Sequence, residues 1–414
     1  MSTNDLANDA TLASDIGRDA TLAYDSAASL PSSRVDGSAA LRTTVLPRVE
    51  VVGIEPRIVA DGKIRYELSG KLGEGGVGEV IKARDNDIDR DVAIKRLRSE
   101  LRSSNATLLR FAEEIRTVGR LEHPNIVPIH DVGVDANGEY FFVMKYIHGE
   151  TLETIIEKLA AGDPAYHEKY DIERRTEIMM GVLEAIAYAH SQKVIHRDIK
   201  PANVMVGPYG EVMVMDWGLA RPIHGAEPLG DTREAPDASG SKKLFQTQLG
   251  TLLGTPAYMS PEQARGEQLD ESTDVYSLSV MFYELLALRH PHEDVRTLEA
   301  MLEAVKTTPA PYAIMQSSKF QGPVPADLSW FVDRGLRKNK SERYASVDAM
   351  IDRLRHRAAG DIPVQCPITF SMRATTLLRQ SLGRHPFITS AVFLLGTMGT
   401  FGMAIVGVFK LVGH

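Results

Sequence analysis

Residues 194–204 read V-I-H-R-D-I-K-P-A-N-V, and D-W-G (216–218) follows 18 residues after the aspartate of that run. The pair of segments carries two acids, two cations and an amide: Asp198, Asp216, Arg197, Lys200 and Asn203. Working toward the N-terminus, L-G-E-G-G-V-G-E-V (72–80) fits G-x-G-x-x-G-x-V, whose glycines let a hairpin backbone close over phosphates without Cβ clashes. V-A-I-K (92–95) then arrives at strand spacing and presents Lys95, an ammonium suited to the α- and β-phosphates of a nucleotide. Such a lysine needs a carboxylate to fix its position, and the following helix offers both Glu113 and Glu114, about 100° apart around its axis.

Toward the C-terminus come G-T-P-A-Y-M-S-P-E (254–262), D-V-Y-S-L (274–278) and E-R-Y (342–344). Taken in order, the motifs resemble those of the eukaryotic-type (Hanks-type) serine/threonine protein kinases, with wording similar to bacterial transmembrane members, over about residues 66–355. The resemblance implies an α+β, bilobal protein kinase fold with a small β-rich N-lobe (about 64–147) and a larger helical C-lobe (about 148–355). It also implies an ATP-dependent, non-specific serine/threonine kinase that autophosphorylates on its activation segment. K-P-A-N after the catalytic aspartate is similar to the Ser/Thr branch rather than the tyrosine kinases. The alternative is a catalytically silent, membrane-anchored pseudokinase scaffold.

The same resemblance distributes roles. Asp198 would accept or orient the substrate hydroxyl proton, Lys200 would neutralise the transferring phosphoryl group, and Asn203 with Asp216 would hold Mg²⁺, or Mn²⁺ in its place. Glu114, nine residues before His123 of H-P-N-I-V, has the family distance for pairing with Lys95. The ATP site would comprise Leu72, Gly73, Glu74, Gly75, Gly76, Val77, Gly78, Glu79 and Val80. Ala93, Lys95 and Met205 would join it, with Met144 as gatekeeper and the backbone of Lys145 and Ile147 at the base edge. Arg197 would pair with a phosphate on the activation segment, where Thr247 and Thr251 precede G-T-P at plausible distances and Thr255 serves substrate positioning. Trp217 for Phe, Ser260 for Ala and Lys145 at a hinge position that is often acidic depart from the commonest pattern; none removes a charge-bearing catalytic group.

The rest of the 414 residues frames this segment. A hydrophobic content of 43% and a charged content of 25% exclude collagen-like, coiled-coil and wholly disordered chains. A net charge of −8 supplies no electrostatic footprint for nucleic acid. One cysteine, Cys366, excludes an internal disulfide and multi-cysteine metal sites. Residues 1–60 are expected to be a disordered tail, rich in Ala, Ser and Asp over the first 40. Within it D-A-T-L-A-S-D (9–15) recurs as D-A-T-L-A-Y-D (19–25), so Thr11 and Thr21 could be phosphorylated to recruit phosphothreonine-binding modules such as forkhead-associated domains. Residues 356–385 read as a basic juxtamembrane linker. Pro386–Phe409 carries no charge and as a helix would measure about 36 Å, enough to cross a hydrocarbon core of about 30 Å. Arg373, Arg379 and Arg384 precede it, which predicts a single-pass protein of the cell membrane with a cytoplasmic kinase domain and a short external tail, 410–414. Gly396, Thr400 and Ala404 form a small-residue face that could pair two such helices in a homodimer.

Overall fold

The computed structural model describes residues 43–46, 48–52, 55–59, 64–74, 78–97, 105–135, 138–222 and 255–384. Thr11 and Thr21, the loop residues Gly75, Gly76 and Val77, the threonines Thr247 and Thr251, and the apolar run 386–409 with residues 410–414 lie outside them. Among the described residues no helix is long and apolar enough to cross a membrane.

Part of the expected N-terminal tail is structured. Strands β1 (Arg48–Val52) and β2 (Glu55–Val59) form an antiparallel pair. Just before them, the backbone amides of Val45 and Leu46 donate to Asp87 Oδ1 at 2.8 and 3.0 Å. The polar and β-branched alternation of Arg48–Val51 and the β-branched pair Ile58–Val59 favour strands here, and a composition averaged over 60 residues conceals them.

A five-stranded antiparallel sheet follows, in the order β3 (Tyr66–Glu74), β4 (Gly78–Asp85), β5 (Arg90–Leu97), β7 (Tyr140–Lys145), β6 (Ile129–Val134). The central strand β5 reads V-A-I and is buried on both faces, so its apolar run is continuous rather than alternating. Tyr66, Ala83, Val92, Ile94, Phe141 and Val143 pack on one face. Against the other lies helix α1 (Asn105–Val118), whose Phe111 meets Leu97 and Phe142, with Leu108 and Ile115 beside them at helical spacing.

The pairing register decides what the second face presents. Val80 lies opposite Lys95, Lys95 opposite Phe142, and Ala93 opposite Met144. Directly opposed residues, and residues two apart on one strand, share a face, so Val80, Ala93, Lys95 and Met144 are gathered on the side away from the Tyr66 cluster.

The second lobe opens on a short strand, β8 (Glu150–Thr151), and is mostly helical: α2 (Leu152–Ala160), α3 (Pro164–Lys169), α4 (Ile172–Ser191), α5 (Pro261–Arg265), α6 (Glu271–Ala287), α7 (Leu298–Thr307), α8 (Ala326–Gly335) and α9 (Val347–Ala358). Its core is built on α4 and α6. Helix α6 is buried almost throughout: apolar residues lie on every side, and its buried Ser277 and Ser279 hydroxyls donate to the Tyr258 and Val275 carbonyls. Asp171 caps α4 and Asp270 caps α6, each side chain accepting a first-turn amide proton, an arrangement worth roughly 1 kcal/mol apiece. A last helix, α10 (Pro367–Arg384), occupies most of the stretch expected to be a linker.

Candidate active site

The signature stretch forms a loop between two short strands, β9 (Val194–Ile195) and β10 (Val204–Val206). Strand β11 (Val212–Val214) pairs with β10 and delivers the chain to Asp216. The loop backbone is held from the helical core. Asp274 on α6 is fully buried and accepts the amide protons of His196 (2.8 Å) and Arg197 (2.9 Å). His190 Nε2 also donates to it at 2.8 Å. Burial works to raise the Asp274 carboxyl, but these donors more than offset it and hold its pKa below the ordinary value.

Two non-glycine residues of the site adopt left-handed backbone, Arg197 at φ 72° and Asp216 at φ 57°. Such conformations cost of order 1 kcal/mol or more and persist only where surrounding bonds over-determine them. Asp274 does this for Arg197, assisted by Gln263, whose Nε2 donates to the Arg197 carbonyl at 2.9 Å. His196 is completely buried. Its Nδ1 accepts the Asp198 amide proton at 3.3 Å, which fixes the tautomer and leaves Nε2 to donate to the Met215 carbonyl at 3.3 Å.

The side chains held by this loop converge. Asp198 Oδ2 accepts from Lys200 Nζ at 2.7 Å and from Asn203 Nδ2 at 3.2 Å. Among the described residues Asp198 Oδ1 accepts no hydrogen bond. Asn203 is buried, and its Nδ2 also donates to the Asp198 carbonyl at 2.8 Å, so both bonds that fix the amide use nitrogen and leave Oδ1 as an oxygen donor.

Across from the loop, Lys95 on β5 reaches Glu114 Oε1 at 2.5 Å and Asp216 Oδ1 at 3.0 Å. Glu114 faces inward from α1 because Phe111, Ile115 and Val118 define that side as the buried one; it is 5% exposed. Glu113, one residue earlier, is half-exposed and pairs with Arg221 instead. The three charges shape one another's titration. Burial alone would discharge Lys95, but Asp216 and Glu114 outweigh it and its pKa is raised. Lys95 is also the main reason that Asp216 is held down to about 2, with Lys200 and His196 contributing. Burial pushes the Glu114 carboxyl up from the usual range, opposed by the Lys95 ammonium.

Of the residues expected to line the nucleotide site, Val80, Ala93 and Met144 share the Lys95 face of the sheet. Met205 and Met144 both pack against a small cluster of Val127, Ile147 and Met213. The Lys145 amide donates to the Pro128 carbonyl at 3.2 Å. Leu72 is 47% exposed at the end of β3. The two described loop glycines differ in kind. A Cβ on Gly73 would meet no atom of the described residues within 4 Å, whereas one on Gly78 would lie 2.5 Å from the Arg96 carbonyl. Gly73 therefore leaves room in front of the sheet, while Gly78 allows β4 to pass its neighbour.

Two groups escaped the sequence reading. Gln263 is one, and its signal is S-P-E-Q (260–263): the Ser260 hydroxyl accepts the Gln263 amide proton (3.2 Å) and Gln263 Oε1 accepts that of Ser260 (2.9 Å), a capping box. Ser260, met as a departure from alanine, thus fixes the residue that holds the Arg197 carbonyl. The other is the pairing of Glu262 with Arg343, buried residues of two separate motifs that are joined by two parallel bonds of 2.7 and 2.9 Å.

Residues 66–354 match the protein kinase domain family. The chain is similar to the serine/threonine-protein kinase PknD of Protochlamydia amoebophila, 34% identical over 297 residues that make up 69% of this chain and 29% of that protein. It is 36% identical to a probable serine/threonine-protein kinase of Streptomyces coelicolor over 69% of this chain and 39% of the relative. PknB of Mycobacterium tuberculosis is 34% identical over 77% of this chain and 47% of its own length. The chain thus spans less than half of each of these relatives.

Proposed function

This chain belongs to the protein kinase family, and on that footing we propose that it transfers the γ-phosphoryl of ATP to serine or threonine hydroxyls of protein substrates. The observation that carries the reading is the Lys95–Glu114–Asp216 ion cluster standing with the Asp198, Lys200 and Asn203 loop, since this chemistry depends mostly on positioning and electrostatic stabilisation. Asp198 orients the attacking hydroxyl and takes its proton through the oxygen that Lys200 and Asn203 leave unused. Lys200 offsets charge on the transferred group, and Lys95, held by Glu114, steadies the nucleotide phosphates.

The residues present fit a hard divalent cation. Asp216, held ionised, and the Oδ1 of Asn203 are oxygen donors, and Mg²⁺ is ordinarily bound by one or two such side chains with phosphates and water completing its shell. Mn²⁺ accepts the same donors. When bound, the cation neutralises phosphate charge. The position in front of Gly73, clear of the described residues, suits close approach of a phosphate to the backbone.

The reading extends to regulation and location. Arg197 is largely buried and among the described residues its Nε has no hydrogen-bond partner; burial first, then the nearby Arg221, lowers its pKa, against the opposing pull of Asp274. A guanidinium with a donor to spare favours an incoming phosphate, and Thr247 and Thr251 are the proposed carriers. Pro386–Phe409 is proposed to anchor the chain in the cell membrane with its kinase domain in the cytoplasm, through a helix pair that uses Gly396, Thr400 and Ala404. Thr11 and Thr21 are proposed docking points for phosphothreonine-binding modules.

Radiolabelled ATP with a generic protein acceptor tests the central claim on the full chain beside Asp198→Asn. Mg²⁺-dependent labelling by wild type, reduced at least about 100-fold in the variant, is expected. Folded wild type that binds ATP and transfers nothing would instead make the protein a silent scaffold.

A further inference from the structure

Helix α10 is amphipathic in the reverse sense. Its polar side meets the protein: Thr369 is fully buried, Gln380 Nε2 donates to the Ala359 carbonyl at 3.1 Å, and the Thr376 methyl lies beside Gly360. Its apolar side faces outward. Phe370 is 62% exposed and Leu377 53%, with Leu378 and Leu382 close to 40%. At about 100° per residue these four occupy an arc of about 140°, which also holds the small side chains of Ser371, Ala374 and Ser381, and Arg373 and Arg379 stand on either flank of it. A helix anchored by polar contacts and exposing its leucines contradicts the usual logic of a surface helix, unless the solvent on that side is not water.

The charge pattern identifies that solvent. From residue 362 to residue 414 the sequence contains no acidic side chain, while Arg373, Arg379 and Arg384 lie within α10 itself. Arg379 can lay its stem along the apolar stripe while its guanidinium reaches outward, and Arg373 on the other flank lies 3.5 Å from Asp361; a stripe so bordered suits the headgroup boundary of an anionic bilayer. The uncharged run Pro386–Phe409 follows directly in sequence.

We propose that α10 is a binding element for anionic phospholipid, lying in the plane of the bilayer surface with Phe370, Leu377, Leu378 and Leu382 immersed. The domain would then be held against the membrane at a set orientation rather than swinging on a linker. This rests on the proposed membrane anchor, and the test separates the two.

The full chain carrying Cys366→Ser takes a nitroxide at Phe370→Cys, Leu377→Cys or Leu382→Cys, and separately at Leu395→Cys inside the apolar run. Each is reconstituted in nanodiscs of phosphatidylcholine alone or with about one third phosphatidylglycerol. Accessibility to oxygen and to a polar nickel chelate is read by electron paramagnetic resonance. None of these positions belongs to the catalytic machinery, so retained phosphotransfer certifies the fold. Labels on α10 are expected to lose nickel access on the order of ten-fold in the anionic discs and much less in neutral ones. Arg373→Gln with Arg379→Gln should lower the immersed-to-exposed ratio by about 30-fold, about five-fold per arginine. Labels on α10 that stay open to nickel in anionic discs while Leu395→Cys is shielded overturn the proposal and leave the anchor standing. If Leu395→Cys is open as well, both fall. Equal immersion in both lipids refutes recognition of anionic lipid, and strong spin–spin broadening would show that a second copy covers the face instead.

Discussion

Cutting the Glu262–Arg343 pair should cost a large part of the domain's stability, and the two ways of cutting it should respond oppositely to pH. The Arg343 side chain is 0% exposed and Glu262 3%, and Arg343 also donates to the carbonyls of Arg337 and Ser272, each at 2.8 Å. Removing one partner of such a pair strands a buried charge, at about 3–5 kcal/mol against a typical total of about 5–15. In Glu262→Ala the stranded group is a guanidinium, which cannot release its proton, so the loss is the same at pH 5.5 and pH 8. In Arg343→Met the stranded group is a carboxyl. Without its cation, burial raises the folded-state pKa of Glu262 above the unfolded value. Stability from that group is then fully present below the unfolded pKa and lost as pH rises through the folded one. Arg343→Met should therefore regain about 2 kcal/mol between pH 8 and pH 5.5, at about 1.4 kcal/mol per unit titrated. In the wild type the Glu262 pKa is instead lowered, burial being outweighed by Arg343, so the reference does not titrate in this window. Urea unfolding followed by the fluorescence of Trp217 and Trp330 measures the difference. A loss under about 1 kcal/mol in Glu262→Ala, or parallel pH profiles for the two variants, would refute the reasoning.

The glycines of the loop should separate binding from stability. A methyl group in Gly73→Ala meets no atom of the described residues, so unfolding should move by less than about 0.5 kcal/mol while the KM for ATP rises. Gly78→Ala would drive a methyl group to 2.5 Å from the Arg96 carbonyl and should cost about 1–3 kcal/mol in the same unfolding measurement. Glu284, which accepts a hydrogen bond from Tyr258, is pushed up to about 7 chiefly by burial. A raised carboxyl contributes stability below its ordinary pKa and loses it as pH climbs through the raised one. Thermal unfolding of Glu284→Gln should accordingly match wild type near pH 4.5 and exceed it at pH 8, by up to about 3 kcal/mol.

What could be read from the sequence is chemistry that needs a particular side chain at a particular distance along the chain. Lys95, Asp198, Asn203 and Asp216 each sit in a short motif, whereas the face that Val80, Ala93 and Met144 share with Lys95 follows from the pairing register. The choice between Glu113 and Glu114 rested on a family distance; physically it is settled by Phe111, Ile115 and Val118, which turn one glutamate toward the core and leave the other to Arg221. What could not be read is chemistry carried by the backbone. D-V-Y-S-L was legible as a motif, yet nothing local tells that its aspartate captures two amide protons 77 and 78 residues away. S-P-E-Q was legible as a helix start, yet its far end, the Arg197 carbonyl, is 66 residues distant. Both clamps act on a residue at φ 72°, so both exist to hold a conformation that the chain would not otherwise keep. The same gap explains α10. Composition marks residues 356–385 as basic, but only contacts reveal which side of a helix is spoken for, and here the polar side is. Were α10 a spacer, its leucines would be better placed inward, because burying each would gain about 1.5–3 kcal/mol that water forfeits. Their outward placement has a physical return only if the surface they face is itself apolar.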